Sequence, residues 1–237
     1  MPYSSIVVLT GAGISAESGL KTFRDNDGLW EGHSVLDVAT PESFHRDPEL
    51  VINFYNQRHA QLLSGDVHPN PAHRALADFE TKFKGEFSLV TQNVDDLHER
   101  SGSAEGFHMH GSLLRAKCGY CQYGFEIREE LDHQESCAQC KRSGALRPDI
   151  VWFGEMPMHM EEIDKRIRRC DLFVSIGTSA AVYPAAGFSD LARHCGAKTL
   201  ELNLAPSSKS DDFSESILGP ATQLVPQVFK NLLGETQ

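Results

Sequence analysis

Four cysteines carry the most specific chemical signal in the chain. Cys118-x-x-Cys121 and Cys137-x-x-Cys140 are separated by fifteen residues, a spacing that lets two knuckles wrap one zinc ion in four thiolates. Four protein ligands leave no position for water or substrate, so such an ion is structural and the chemistry lies elsewhere. A second signal is Gly11-x-Gly13-x-x-Ala16 after an apolar run. Glycines in that pattern let backbone amides and a helix N-terminus approach a pyrophosphate, although any tight strand-to-helix turn can use them. A third is histidine. Strand alternation puts His108 and His110 on one face, and each can be a general base or a satisfied core ring. Asp95, Asp96 and His98 follow another apolar run, where catalysis and helix capping are both open to them. Cys170 and Cys195 lack partners of this kind and are expected to be small core residues.

The elements that must position these residues alternate along the chain. Apolar, β-branched runs at Ile6 to Leu9, Phe87 to Val90, Leu172 to Ile176 and Thr199 to Leu202, with a weaker one near Leu224, are separated mostly by helical patterns. Each of the four clear runs ends in small or polar residues: Thr10 to Gly13, Thr91 to Asn93, Gly177 to Ser179 and Asn203 to Ala205. In an open parallel sheet, ligands bind beyond the carboxyl ends of the strands, so these four turns are expected to line one crevice. The second convincing strand begins only near Phe87, which requires a long helical insertion after the first turn, placed to cover a ligand as a lid. From Leu113 to Arg147 the pattern breaks into short, cysteine-punctuated segments, read as a small inserted module.

The chain has 237 residues, with 33 Asp+Glu against 22 Lys+Arg, a formal charge of −11, and 40% hydrophobic residues. That composition is globular. The acidic balance lacks the basic face that phosphate backbones require, so no direct nucleic-acid partner is expected. Met1 to Ala16 is uncharged but has no basic segment, and is read as the start of the mature chain. The uncharged stretch Leu172 to Ser189 suits a buried strand and loop, and no membrane segment is expected. Paired cysteines without a secretion signal point to a reducing, cytoplasmic setting.

Taken together, Gly11-Ala-Gly-Ile-Ser-Ala-Glu-Ser-Gly19, Thr22-Phe-Arg24, Thr91-Gln-Asn-Val-Asp95, His110-Gly111, the two Cys-x-x-Cys pairs, Arg147-Pro148, Phe153-Gly-Glu155, Gly177-Thr-Ser179 and Asn203 stand in the order typical of sirtuins, the NAD-dependent protein lysine deacylases. The resemblance spans about residues 5 to 225. Lys21 stands where the family usually has proline, which loosens the expected lid geometry before Phe23. The implied fold is α/β, a Rossmann-like parallel sheet with a smaller inserted zinc-binding module and a helical lid. It forms one catalytic domain over 1–237, with the NAD-binding part at about 1–112 and 148–237 and the module at about 113–147.

The resemblance implies NAD as co-substrate and one structural zinc on Cys118, Cys121, Cys137 and Cys140. The diphosphate would lie at Gly11, Ala12, Gly13, Ser15 and Ala16, with Phe23 and Arg24 closing over it. Gly177, Thr178, Ser179, Asn203, Leu204, Ala205 and Ala221 would meet the adenosine half, and Gln92, Asn93 and Asp95 the nicotinamide ribose, Asp95 gripping the carboxamide. The acyl-lysine carbonyl oxygen would capture ribose C1′ in a site shielded from water. His110 would then deprotonate a ribose hydroxyl, giving free lysine, nicotinamide and O-acyl-ADP-ribose. Asn93 and Asp95 complete the implied catalytic set.

The protein substrate would pair as a strand with Val151, Phe153, Gly154 and Glu155 and with an edge after Ser179. Tyr55 and Arg58, spaced i, i+3 on a helix expected over Glu49 to Leu63, share a face. With the small Ala39, they match the sirtuins that remove acidic acyl groups, since a guanidinium and a phenol suit a terminal carboxylate; a buried tyrosine beside a solvated arginine is the plainer alternative. Mono-ADP-ribosyl transfer and a non-catalytic NAD-sensing interaction protein are the competing functional readings.

Overall fold

A computed structural model of the chain describes residues 3–21, 29–30, 32–104 and 106–234. Phe23 and Arg24 lie outside them. The first strand, β1 (Ser5–Thr10), is followed by two 3₁₀ turns, Ala12–Ile14 and Ala16–Ser18, in place of the single α-helix a dinucleotide turn ordinarily opens. Next come the short strands β2 (Leu29–Trp30) and β3 (His33–Ser34) and the helices α1 (Val35–Val38), α2 (Pro41–Arg46), α3 (Pro48–Leu63) and α4 (Pro71–Lys82). This is the expected helical insertion. Proline at the first helical position and a side-chain cap open each of the last three: Thr40, Asp47 and Asn70 each accept from a backbone N–H of the first turn.

The chain then returns to the sheet as β4 (Glu86–Thr91), α5 (Leu97–Arg100) and β5 (Phe107–His108). It leaves as the antiparallel set β6 (Gly111–Cys118), β7 (Gly124–Glu126) and β8 (Leu146–Ile150), and finishes with α6 (Met160–Arg169), β9 (Leu172–Ile176), α7 (Phe188–His194), β10 (Lys198–Asn203), β11 (Glu215–Leu218) and α8 (Ala221–Leu232). The main sheet is parallel throughout, in the order β11-β10-β9-β1-β4-β5. Leu224, expected on a weak strand, lies in α8, and the fifth run is instead β11. Apolar residues spaced for the inner face of a terminal helix look locally like a short strand, the usual ambiguity of brief apolar runs.

Alternation along the strands feeds two cores. Ile6, Val8, Val174 and Leu202 pack on one face with Leu76 and Phe79 of α4 and Val225 and Phe229 of α8. Val7, Leu9 and Phe173 pack on the other with Ile163 and Ile167 of α6 and Phe188 and Ala192 of α7. A third core joins Val38, Ala39, Phe54, Tyr55, Leu113 and Trp152 beneath the helical insertion, and a fourth fills the small antiparallel sheet. Cys170 is buried as expected, but Cys195 is exposed, because it caps the C-terminus of α7 where the chain turns outward.

The glycine turn is held by direct backbone contact. The Gly13 N–H donates to the Gly177 carbonyl at 2.8 Å, and a Cβ on Gly13 would lie 2.7 Å from Gly177 Cα and from its carbonyl oxygen. Only backbone without side chains fits there. Gly13→Ala is therefore expected to cost about 2 kcal/mol or more of stability by overpacking, read as a lowered urea midpoint with an unchanged denaturant slope; a wild-type midpoint would show that the turn has room.

Candidate functional site

The carboxyl ends of β1, β4, β9 and β10 bring their turns together by side-chain bonds. Gln92 Nε2 donates to Thr178 Oγ1 at 3.1 Å, and Asn203 Nδ2 to the Thr178 carbonyl at 2.8 Å. The start of α8 joins them: the Thr222 hydroxyl and N–H both donate to the Glu17 carboxylate, which sets Ala221 beside the second 3₁₀ turn. Leu204 and Ala205 are exposed past the end of β10. Of the residues expected around a dinucleotide, those within the described residues thus converge on one end of the sheet.

The centre of this surface is buried and polar. Ser15 Oγ donates to Asp95 Oδ2 at 3.0 Å and accepts from Asn93 Nδ2 at 3.1 Å. His73 Nε2 lies 3.4 Å from the same hydroxyl, while its Nδ1 accepts from the Asn70 N–H at 3.3 Å, which leaves the proton on Nε2. Asn70 in turn donates to the Ile14 carbonyl and to Ser18 Oγ. The N-terminus of α4 is thereby bolted to the glycine turn. His98 Nε2 lies 3.0 Å from Thr10 Oγ1, and Thr10 donates to Thr91 Oγ1 at 2.9 Å. Burial holds His98 and His73 down to about 3 and about 4, so both are neutral imidazoles. The sequence does not single out His73 or Asn70, since Asn70-Pro71 reads there only as a helix start, and Thr10 enters only as the opening residue of a strand-end turn.

The two alternating histidines take different partners. His108 Nε2 meets Glu99 Oε1 at 2.9 Å, and the carboxylate raises its pKa even though burial works to lower it. His110 Nδ1 lies 3.0 Å from the Gln92 carbonyl. A carbonyl can only accept, so Nδ1 carries the proton and Nε2 keeps its lone pair. Burial lowers the His110 pKa, with the Gln92 carbonyl opposing in part. A neutral, oriented imidazole is what a general base requires.

At Asp95 burial drives the carboxyl up to about 6, against hydrogen bonds from the Leu97 N–H and the Ser15 hydroxyl. A folded-state value above the unfolded one means that stability is full below about pH 4, is lost as pH rises through 4 to 6, and stays lost above. From the ordinary 3.8 to about 6 the loss is about 3 kcal/mol.

The second arm of the site comes from the helical insertion. Tyr55 is buried and its oxygen accepts from Trp152 Nε1 at 3.0 Å. Arg58, one turn along α3, is half-buried with its guanidinium 4.8 Å from the Phe54 ring. Ala39 lies in the same core cluster as Tyr55 and Trp152, and its carbonyl accepts from the Phe153 N–H at 2.9 Å. Arg147 clamps the next turn, bidentate to Glu155 at 2.6 and 2.9 Å and stacked 3.4 Å over Trp152. The stretch from Val151 to Glu155, expected as an open strand edge, is a turn. The N–H groups of Val151, Trp152, Phe153 and Glu155 donate to the His110 carbonyl, the Glu155 carboxylate, the Ala39 carbonyl and the Trp152 carbonyl. Among the described residues that leaves Gly154, at φ 91°, with the uncommitted N–H.

The four cysteines come together in the small sheet. Their sulfurs lie within 4.8 Å of one another, with Cys118–Cys140 and Cys121–Cys137 at 3.7 Å. Thiolates at tetrahedral corners about 2.3 Å from zinc are about 3.8 Å apart, so the set fits that ion. The knuckles are built alike: the N–H groups of Gln122 and Lys141, both at positive φ, return to the carbonyls of Cys118 and Cys137 at 2.9 Å. The module docks on α3 between Tyr55 and Arg58, where Asn56 exchanges two hydrogen bonds with the backbone of Leu131 at 3.0 and 2.9 Å.

A nucleotide-type parallel sheet with a four-thiolate module, and a neutral histidine at the strand ends, defines a narrow class of protein. The Sir2 family profile matches residues 11–184. An NAD-dependent protein deacylase of Vibrio cholerae is 51% identical over 98% of this chain and 95% of its own length, and one of Bdellovibrio bacteriovorus is 54% identical over 98% and 97%. A crystal structure of a Sir2 homologue–NAD complex superposes with a TM-score of 0.89 at 36% identity, covering 98% of this chain and 90% of the other. The chain belongs to the Sir2 family.

Two outcomes follow for the site. Cys137→Ser is expected to abolish stoichiometric zinc, measured by metal analysis, and to lower the melting temperature, because structural metal sites contribute folding energy; full activity in a zinc-free preparation would count against the site. Asp95→Asn is expected to stabilise the fold by about 1–3 kcal/mol at pH 7.5, with the gain vanishing near pH 4. Urea titrations at the two pH values check this, and a pH-independent difference would contradict it.

Proposed function

We propose that this chain is an NAD-dependent protein lysine deacylase that accepts acidic acyl groups, succinyl and malonyl, as well as acetyl. The observation that carries the first part is His110, fixed with Nε2 as its basic nitrogen by the carbonyl of Gln92, the residue before Asn93 of the buried Ser15–Asn93–Asp95 group. The family membership and the names of its relatives support it. Gln92, Asn93 and Asp95 would hold the nicotinamide end of NAD, and Gly11, Ala12, Gly13 and Ser15 its diphosphate. His110 would take the proton from a ribose hydroxyl, which needs no net charge on the ring at the start. Zinc on the four thiolates would hold the small sheet against α3 and supply no chemistry to the reaction. The partners are acylated lysines in extended protein segments, met by main-chain bonds at Gly154. No nucleic acid is expected as a partner; no helix among the described residues is long and apolar enough to cross a membrane. A cytoplasmic setting remains part of the proposal.

The acyl preference rests on α3. A carboxylate entering a pocket beside Ala39 and Trp152 loses its water, a cost that an unpaired charge does not recover. Arg58 can supply a charge-assisted bond and Tyr55 a hydroxyl, neither of which an acetyl methyl needs. Burial pushes the Tyr55 phenol well above its ordinary value, so it stays protonated and able to donate.

Arg58→Met is expected to lower kcat/KM for succinyl-lysine peptides at least about 30-fold while leaving acetyl-lysine nearly unchanged, which corresponds to about 2 kcal/mol. His110→Ala, as a control, should lower both by about 100-fold or more with zinc content intact. Mass spectrometry of acetyl- and succinyl-lysine peptides with and without NAD reads both. An equal loss on the two acyl groups in Arg58→Met would sink the acidic-acyl reading and leave deacylation standing; protein-linked ADP-ribose in place of free lysine would sink deacylation.

A further inference from the structure

Glu201 is a buried carboxylate at 1% exposure in the middle of β10, and no lysine, arginine or histidine pairs with it among the described residues. Its Oε2 accepts hydrogen bonds from Ser210 Oγ and, at 2.6 Å, from Ser216 Oγ. Its Oε1 is buried, and among the described residues no donor meets it in hydrogen-bond geometry. Leaving an ionised acceptor in that state is costly, yet the serine hydroxyls and Asn203 hold the carboxyl below its ordinary range against the effect of burial. A charge kept at this expense inside a sheet calls for a reason beyond the packing of β10.

The reason lies in the segment after β10. Ser210, gripped by Glu201, accepts from the Ser207 N–H at 2.7 Å, and the Ser207 hydroxyl oxygen accepts from the Lys209 N–H at 3.3 Å. Ser208 between them donates from its hydroxyl to the carbonyls of Ser179 and Ala180 at 3.4 and 3.2 Å. Lys209 pairs with Asp190 just inside α7. The loop from Leu204 to Asp212 is thus clasped at three points: to the sheet through Glu201, to the turn after β9 through Ser208, and to α7 through Lys209. Leu204 and Ala205 at its mouth, with Asn203 and Ser179, are the residues that a bound adenosine would meet. Ser216 donates to the same carboxylate oxygen from β11, where it is in register with Glu201, and has no part in the loop.

We infer that Glu201 is a positioning residue for the co-substrate: through Ser210 it sets the shape of the 204–212 loop that receives the adenosine half of NAD. The inference rests on the NAD-dependent reading above. It predicts an effect confined to one substrate, because the loop stands apart from His110 and from the acyl pocket on α3.

The test uses the full-length chain and three variants. Glu201→Gln and Ser210→Ala should each raise KM for NAD, and Kd for ADP-ribose by calorimetry, about tenfold, the scale of one lost charge-assisted bond. Neither should alter kcat, zinc content or the KM for an acyl peptide by more than about twofold. Ser216→Ala, which removes a bond to the same oxygen from the sheet side, should leave KM for NAD within about twofold. Unchanged NAD constants in Ser210→Ala overturn the inference, even if Glu201→Gln does not fold. So does an equal loss in Ser216→Ala, which would assign Glu201 to the sheet alone. Failure of the unaltered chain to bind ADP-ribose overturns the NAD-dependent reading and this inference with it.

Discussion

The contact between two stretches of bare backbone, Gly11 to Gly13 against Gly177, governs the geometry of everything around the site. Gly11 donates to the Ile176 carbonyl, Gly13 to the Gly177 carbonyl, and Gly177 to the Leu202 carbonyl, so the ends of β1, β9 and β10 are laced in sequence by main-chain bonds. At this separation no side chain can intervene on either strand. The gain is rigidity: the turns that carry Ser15, Thr178 and Asn203 cannot move independently, and the polar groups they display are preorganised.

A second constraint reaches the site from outside the main sheet. The four-thiolate module touches α3 through Asn56, one residue from Tyr55 and two from Arg58, and through the contact of His59 with the Ile127 carbonyl at 3.3 Å. A metal on the four thiolates would thereby bear on the placement of Tyr55 and Arg58. Structural metal sites contribute folding energy to small modules of this kind.

The polar interior beneath the strand ends shows what such a site costs. Asp95 is held with its carboxyl near 6 by burial, and His98 Nδ1 is buried with no hydrogen-bond partner among the described residues. Each lowers stability relative to an apolar replacement. Large apolar cores on both faces of the sheet, with Phe79 against Phe229 at 5.0 Å on one of them, offset that loss and keep the groups in place.

The sequence alone determined what depends on local pattern. Strand runs ending in small residues, the helical pattern over Glu49 to Leu63 and the cysteine spacing are short-range signals, each tied to one backbone conformation or one coordination geometry. Only the tertiary structure decided what depends on long-range neighbours. It separated His108, paired with Glu99, from His110, oriented by the Gln92 carbonyl, although alternation treats the two rings alike. It turned the stretch from Val151 to Glu155 back on itself through Arg147, exposed Cys195 at a helix end, and moved the fifth strand from near Leu224 to Glu215–Leu218. It also joined His73 to Ser15, and Asn70 to Ile14 and Ser18, across more than fifty residues. Hydrogen-bond partners and burial are set by residues far apart in the chain, and no spacing rule within one segment contains them.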